Sequence, residues 1–163
     1  MTGWDDGMTL GEARDWLRER IEDGEECPCC RQFAKVYRRR LYATMAHELI
    51  LCWRAGGTDW FYLPDTIQRG GDVAKCRYWG LMQEAEGVRD DGSSRHGWWR
   101  VTDVGQRFVR GQTSVMSHAR IYDGRCLGLV GEPITIQEAL GQRFDYAELM
   151  AGVSPVDPEP TLF

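Results

Sequence analysis

From Leu63 to Gly111 the chain reads LPDTIQRGGDVAKCRYWGLMQEAEGVRDDGSSRHGWWRVTDVGQRFVRG, and the order of local signals in this stretch decides the fold class. Pro64 to Gln68 forms a short helix candidate that Gly70-Gly71 stops. A second helix opens at Asp72 and runs to about Gln83, through Lys75, Arg77, Tyr78 and Trp79. Leu81-Met82 on one side and Trp98-Trp99-Arg100-Val101 on the other flank a polar, basic loop from Val88 to Gly97, the pattern of two strands around a long turn. Thr102-Asp103-Val104-Gly105-Gln106-Arg107-Phe108 follows at once.

Upstream, Trp60-Phe61-Tyr62-Leu63 is aromatic, brief and bounded by Asp59 and Pro64, which predicts a short strand that pairs with the wing-like strands downstream. The whole order resembles a winged helix-turn-helix, and the last seven residues resemble the T-x-x-G-x-x-F exit that follows the wing in many regulators of that kind. The resemblance implies duplex DNA as partner, with the helix from Asp72 as the reader. Lys75, Arg77 and Arg69 would then meet phosphates or guanine edges, and Arg89, Arg95 and His96 on the wing would reach the backbone or minor groove. Helical spacing groups Asp72, Lys75/Cys76 and Trp79 in one row and Val73, Arg77 and Gly80 in the next, one row buried and the other exposed. The competing reading is a protein-interaction platform, since Asp90-Asp91 in the loop blunts attraction for phosphate.

The charges favour the same region. Residues 1–30 hold three Arg against nine acids, residues 31–120 hold fifteen Lys/Arg against nine, and residues 121–163 hold two against seven. A basic middle therefore hides inside a net charge of −5. The 163 residues suffice for a buried core, and the hydrophobic and charged shares of 42% and 28% belong to a globular chain rather than a disordered one. The acidic N-terminus and the lack of a long apolar run argue against a signal peptide or a membrane span, so the expected location is the cytoplasm.

Outside the central stretch, Thr9 and Glu12 form a capping box that opens a short amphipathic helix with apolar Leu10, Ala13, Trp16, Leu17 and Ile21. The longest helical pattern runs from about Arg31 to Ala55, with Phe33, Tyr37, Leu41, Met45, Ile50 and Trp53 near one stripe and Gly56-Gly57 closing it. Arg38-Arg39-Arg40 would cover most of one of its turns. Asp123-Gly124 predicts a two-residue hairpin turn between Ser117–Tyr122 and Arg125–Val130. Two further capping patterns, Thr135 with Glu138 and Asp145 with Glu148, predict short helices near 136–141 and 146–151.

Cys27-Pro28-Cys29-Cys30 contains one C-x-x-C pair, Cys27 and Cys30, which is half of a tetrahedral thiolate site for zinc. Cys52, Cys76, Cys126, His47, His96 and His118 are scattered singly, so the other ligands would come through the fold or across a homodimer. The leading expectation is plain reduced thiols with no cofactor, as suits a cytosolic protein; zinc and a redox pair are the two alternatives. No nucleophile motif, metalloprotease motif or phosphate loop is present, which points away from an enzyme.

Residues 152–163 carry three prolines and read as a flexible tail ending in Leu162-Phe163. The ending resembles the bacterial sliding-clamp binding peptide, Q-L-[S/D]-L-F, with Glu159 in place of Gln and Pro160 in place of Leu. It implies a host-protein partner anchored by those two apolar side chains. Finally, Met8 to Ala13, Cys27 to Cys30 and Phe144 to Met150 resemble small proteins of actinobacterial phages, which implies a phage or prophage origin and the cytoplasm of a host cell.

The expected architecture is thus α+β: an acidic N-terminal helix and Cys-rich turn over 1–30, a winged-helix-like domain over 31–111, a hairpin and helical extension over 112–151, and the tail. The expected function is that of a DNA-associated regulator or replication accessory. The alternative is an interaction module or inhibitor that engages a host factor through its tail.

Overall fold

In the computed structural model, which describes residues 4–67, 72–87, 91–92 and 97–153, the chain is a mixed α+β protein with small antiparallel sheets. In chain order its elements are α1 (Leu10–Arg18), β1 (Glu25–Glu26), β2 (Phe33–Ala34), β3 (Tyr37–Arg40), α2 (Ala43–Gly56), β4 (Phe61–Tyr62), α3 (Leu63–Thr66), a 3-10 helix (Val73–Trp79), β5 (Met82–Glu84), β6 (Trp98–Val101), α4 (Asp103–Val109), β7 (Val115–Tyr122), β8 (Arg125–Ile134), α5 (Ile136–Leu140) and α6 (Tyr146–Leu149). They fall into two compact units, one built from the chain through Leu41 together with Met116–Pro133, the other from Tyr42–Val115 together with the residues from Ile134 onward. The hairpin therefore joins the N-terminal segment, while the two short helices after it join the central one.

In the first unit the predicted capping box opens α1: the Thr9 hydroxyl accepts from Glu12 N–H at 3.2 Å and the Glu12 carboxylate accepts from Thr9 N–H at 2.8 Å. Ala13 and Trp16 are its buried residues. The order β3-β7-β8 forms the main sheet, with Tyr37 opposite Ile121, Arg38 opposite Arg120, Arg39 opposite Ala119 and Arg40 opposite His118. The β7–β8 turn is the expected one, with Asp123 at φ 49° and Gly124 at φ 73°. Ser117, Ala119 and Ile121 alternate as the buried face of β7.

The expected long helix from Arg31 is corrected here, because only its second half, α2, is helical. Arg31 takes a left-handed φ of 64°, and Phe33–Ala34 and Tyr37–Arg40 are strands, with Ala34 and Val36 buried two residues apart. Phe33 and Tyr37 lie at i and i+4, so they imitate a helical stripe, yet they are 67% and 49% exposed. Pairing with β7 decides the matter, since Arg38, Arg39 and Arg40 are exposed strand residues rather than one helical turn.

The second unit is organised around α2, whose Met45, Ala46, Leu49, Ile50, Cys52 and Trp53 are buried. The three-stranded sheet has the order β4-β6-β5, with Phe61 opposite Trp99, Tyr62 opposite Trp98, Met82 opposite Val101 and Gln83 opposite Arg100. Trp99, Val101 and Met82 face the core, together with Leu81, Phe108, Val109, Ile136 and Leu140. α5 is opened by a full capping box between Thr135 and Glu138, and the Asp145 side chain caps the start of α6 through Glu148 N–H. His47 stacks on Phe144 at 4.2 Å, tying the C-terminal segment to α2.

Candidate nucleic-acid interface

The helix expected over Asp72–Gln83 is a 3-10 helix that ends when Gly80 turns left-handed at φ 72°, after which Met82–Glu84 is strand. A 3-10 helix repeats every three residues, so Val73, Cys76 and Trp79 line up on one face and all three are buried. The rows expected from α-helical spacing are corrected accordingly: Lys75 and Arg77 both fall outside the buried row. Glu48 on α2 fixes the start of this helix by accepting from Val73 N–H at 3.1 Å. Burial raises the Glu48 pKa, the Val73 hydrogen bond opposes that rise, and the nearby Asp72 charge adds to it.

Neither cation stands alone. Lys75 Nζ lies 3.2 Å from Asp72 Oδ1, and this hydrogen bond, with a second from Tyr42, holds the Asp72 carboxyl below its ordinary value. Tyr42 is in turn pushed up to about 12, first by burial and then by Asp72. Arg77 lies 4.0 Å from Glu84 and packs over the Tyr78 ring at 5.1 Å. Both are half-exposed surface pairs whose Coulomb attraction water largely screens, so an incoming phosphate competes with a carboxylate already in place. The other expected contacts, Arg69, Arg89, Arg95 and His96, lie outside the described residues, as do Leu162 and Phe163 of the tail.

Beside these, the outward face of the β4-β6-β5 sheet holds residues that the motif did not single out. Arg100 donates to Gln83 at 2.9 Å and lies over the Trp60 ring at 5.0 Å, while Tyr62 and Trp98 pack at 5.7 Å. The signal for this face is the strict alternation of β6, where Trp99 and Val101 point inward and Trp98 and Arg100 outward.

Cys27 and Cys30 sit in the turn of the β1–β2 hairpin, where Cys27 N–H donates to the Gln32 carbonyl and Arg31 N–H donates to the Cys27 carbonyl, each at 2.8 Å. Backbone hydrogen bonds from Cys30 and Cys29 lower the Cys27 pKa and favour its thiolate. Among the described residues no group of three or more His, Cys, Asp or Glu converges on a metal position. Cys52 and Cys76 are buried and far from that turn in character: burial pushes Cys52 up to about 12 and Cys76 higher still, so both stay protonated thiols in the core. No helix among the described residues is long and apolar enough to cross a membrane.

Set against family models, curated proteins and solved structures, the chain matches none.

Proposed function

We propose that the stretch from α2 to α4 is a winged helix-turn-helix and that the protein binds duplex DNA through it, as a phage-encoded regulator or replication accessory in a host cytoplasm. The observation that carries this reading is topological. A helix, a short strand, two short helices and two further strands follow one another, and the first strand pairs with the last so that β6 lies between β4 and β5. In that arrangement the 3-10 helix takes the place of the reading helix and the β5–β6 connection that of the wing.

The T-x-x-G-x-x-F exit supports it physically. Thr102 caps α4 by accepting from Gly105 N–H at 3.0 Å, Gly105 lets α4 approach the strand entry, and Phe108 is fully buried. With Lys75 and Arg77 each near a carboxylate, few phosphates are neutralised, so binding is weak and confined to low salt, with a shallow salt slope set by that small number of contacts. Fluorescence anisotropy with a labelled duplex at low salt tests it. The parent binds and the double variant Arg77→Glu, Arg95→Glu does not; a folded parent that fails to bind at low salt removes the proposal.

A further inference from the structure

The first unit carries a groove of about 480 Å³ whose walls include Phe33, Lys35, Tyr37, Arg39, Tyr122 and Asp123. Tyr37 and Arg39 share one side of β3, Lys35 lines the same groove just before the strand, and Tyr37 and Arg39 stand opposite Ile121 and Ala119 of β7. Three of the lining side chains are aromatic and exposed: Phe33 at 67%, Tyr37 at 49% and Tyr122 at 37%. A chain that needed these rings only for its core would bury them.

Charge surrounds the rings. Lys35 Nζ and Arg39 Cζ lie 5.7 and 5.6 Å from the Tyr37 ring centre. Among the described residues neither is in an ion pair, unlike Arg120, which Glu22 holds. Arg38 and Arg40 occupy the other face of the same strand, so four cations fall within the six residues Lys35–Arg40. Among the described residues Asp123 is the one acidic side chain in the groove lining, and it sits at the hairpin turn.

We propose that this groove binds single-stranded nucleic acid, with unpaired bases stacking on Phe33, Tyr37 and Tyr122 and the neighbouring phosphates meeting Lys35 and Arg39. Exposed rings interleaved with unpaired cations suit that polymer: every base offers a stacking face, and every linkage a negative charge. A duplex fits less well, because its bases are already stacked on each other. An acidic peptide offers the charge without the flat rings. The inference stands apart from duplex binding by the second unit, because it uses other residues in another compact unit.

The test is anisotropy of the full-length protein at low salt, with labelled single-stranded DNA and RNA of about 12 nucleotides and a matching DNA duplex. Single strands bind at least about tenfold tighter to the parent than to Phe33→Ala, Tyr37→Ala, as the loss of stacked rings demands, while Arg77→Glu leaves single-strand binding unchanged. Lys35→Glu, Arg39→Glu abolishes it. Equal affinity for DNA and RNA assigns the contacts to base and phosphate, and a preference for RNA adds the 2′-hydroxyl. Circular dichroism matching the parent establishes that each variant is folded; because Phe33 and Tyr37 are exposed, their truncation leaves the core intact. The proposal is overturned if the folded parent binds no single strand, if removing the rings changes nothing, or if polyglutamate displaces the oligonucleotide as well as unlabelled single strand does.

Discussion

The carboxylate of Glu48, on α2, accepts a hydrogen bond from the backbone N–H of Val73 at 3.1 Å, so a side chain of one helix caps the start of another. The leading N–H groups of a 3-10 helix have no partner within it, and Asp72 supplies no side-chain cap here because its carboxylate is turned to Lys75. Glu48 thereby sets the position of the segment bearing Lys75 and Arg77.

This cap has a pH signature. Burial, the leading cause, raises the Glu48 pKa, so the folded chain keeps this proton to higher pH than the unfolded chain does. Stability from this group is then greatest below the unfolded pKa and is lost as pH rises through the folded one. Glu48→Gln keeps a carbonyl oxygen for Val73 and carries no charge. Its unfolding midpoint should gain on the parent's as pH rises from about 4 to about 7, and a constant gap would show that the carboxylate is not desolvated. Glu48→Ala leaves the Val73 N–H without its partner and costs about 1 kcal/mol near pH 4, a cost that shrinks toward pH 7 as the parent loses the stability linked to the Glu48 proton.

Gly105 is the tightest point of the second unit. A Cβ there would overlap the Leu81 carbonyl oxygen and come within 2.8 Å of Val101 Cγ1. The same Leu81 carbonyl already accepts from Thr102 N–H at 3.0 Å, and the Thr102 hydroxyl donates to the Gly80 carbonyl at 2.6 Å, so the backbone has no room to retreat. Gly105→Ala is expected to cost about 1–3 kcal/mol in chemical denaturation. Thr102→Ala removes the cap of α4 and costs about 1 kcal/mol, which Thr102→Ser largely restores. A Gly105→Ala protein as stable as its parent would contradict the packing described here.

What could be read from the sequence was what depends on neighbours along the chain. The capping boxes at Thr9 and Thr135 and the Asp123-Gly124 turn are complete within four residues, and each forms where expected. The strand at Tyr37–Arg40 was illegible because its partner, β7, lies about eighty residues away, while Phe33, Tyr37 and Leu41 happen to repeat at helical spacing. The candidate site shows the same division. Lys75 and Arg77 announce themselves as cations, but their outward placement depends on a three-residue repeat, and the nearness of Arg77 to Glu84 on the turn at Gly80. The aromatic groove was hidden by the same helical coincidence, which assigned Phe33 and Tyr37 to a core stripe.

The Cys27 turn gives the last test. Backbone hydrogen bonds from Cys30 and Cys29 lower the Cys27 pKa, so thiolate is available at milder pH than for an ordinary cysteine. Cys29 and Cys30 are exposed, and within the described residues no further ligands converge on them. A tetrahedral Zn²⁺ ion bound by Cys27 and Cys30 therefore needs two ligands from outside, and a second chain's pair supplies the same chemistry. Zinc added to the reduced protein should bind at one ion per two chains, release protons as the thiols coordinate, and shift elution on a sizing column to that of a dimer. Cys27→Ser, Cys30→Ser should abolish both effects, whereas Cys126→Ser, which removes an exposed thiol elsewhere, should abolish neither. Chelation should then lower the melting temperature of the loaded protein, because the metal contributes directly to folding stability. Metal content far below one ion per two chains, measured by elemental analysis after zinc loading, would leave these cysteines as reduced thiols on a hairpin turn.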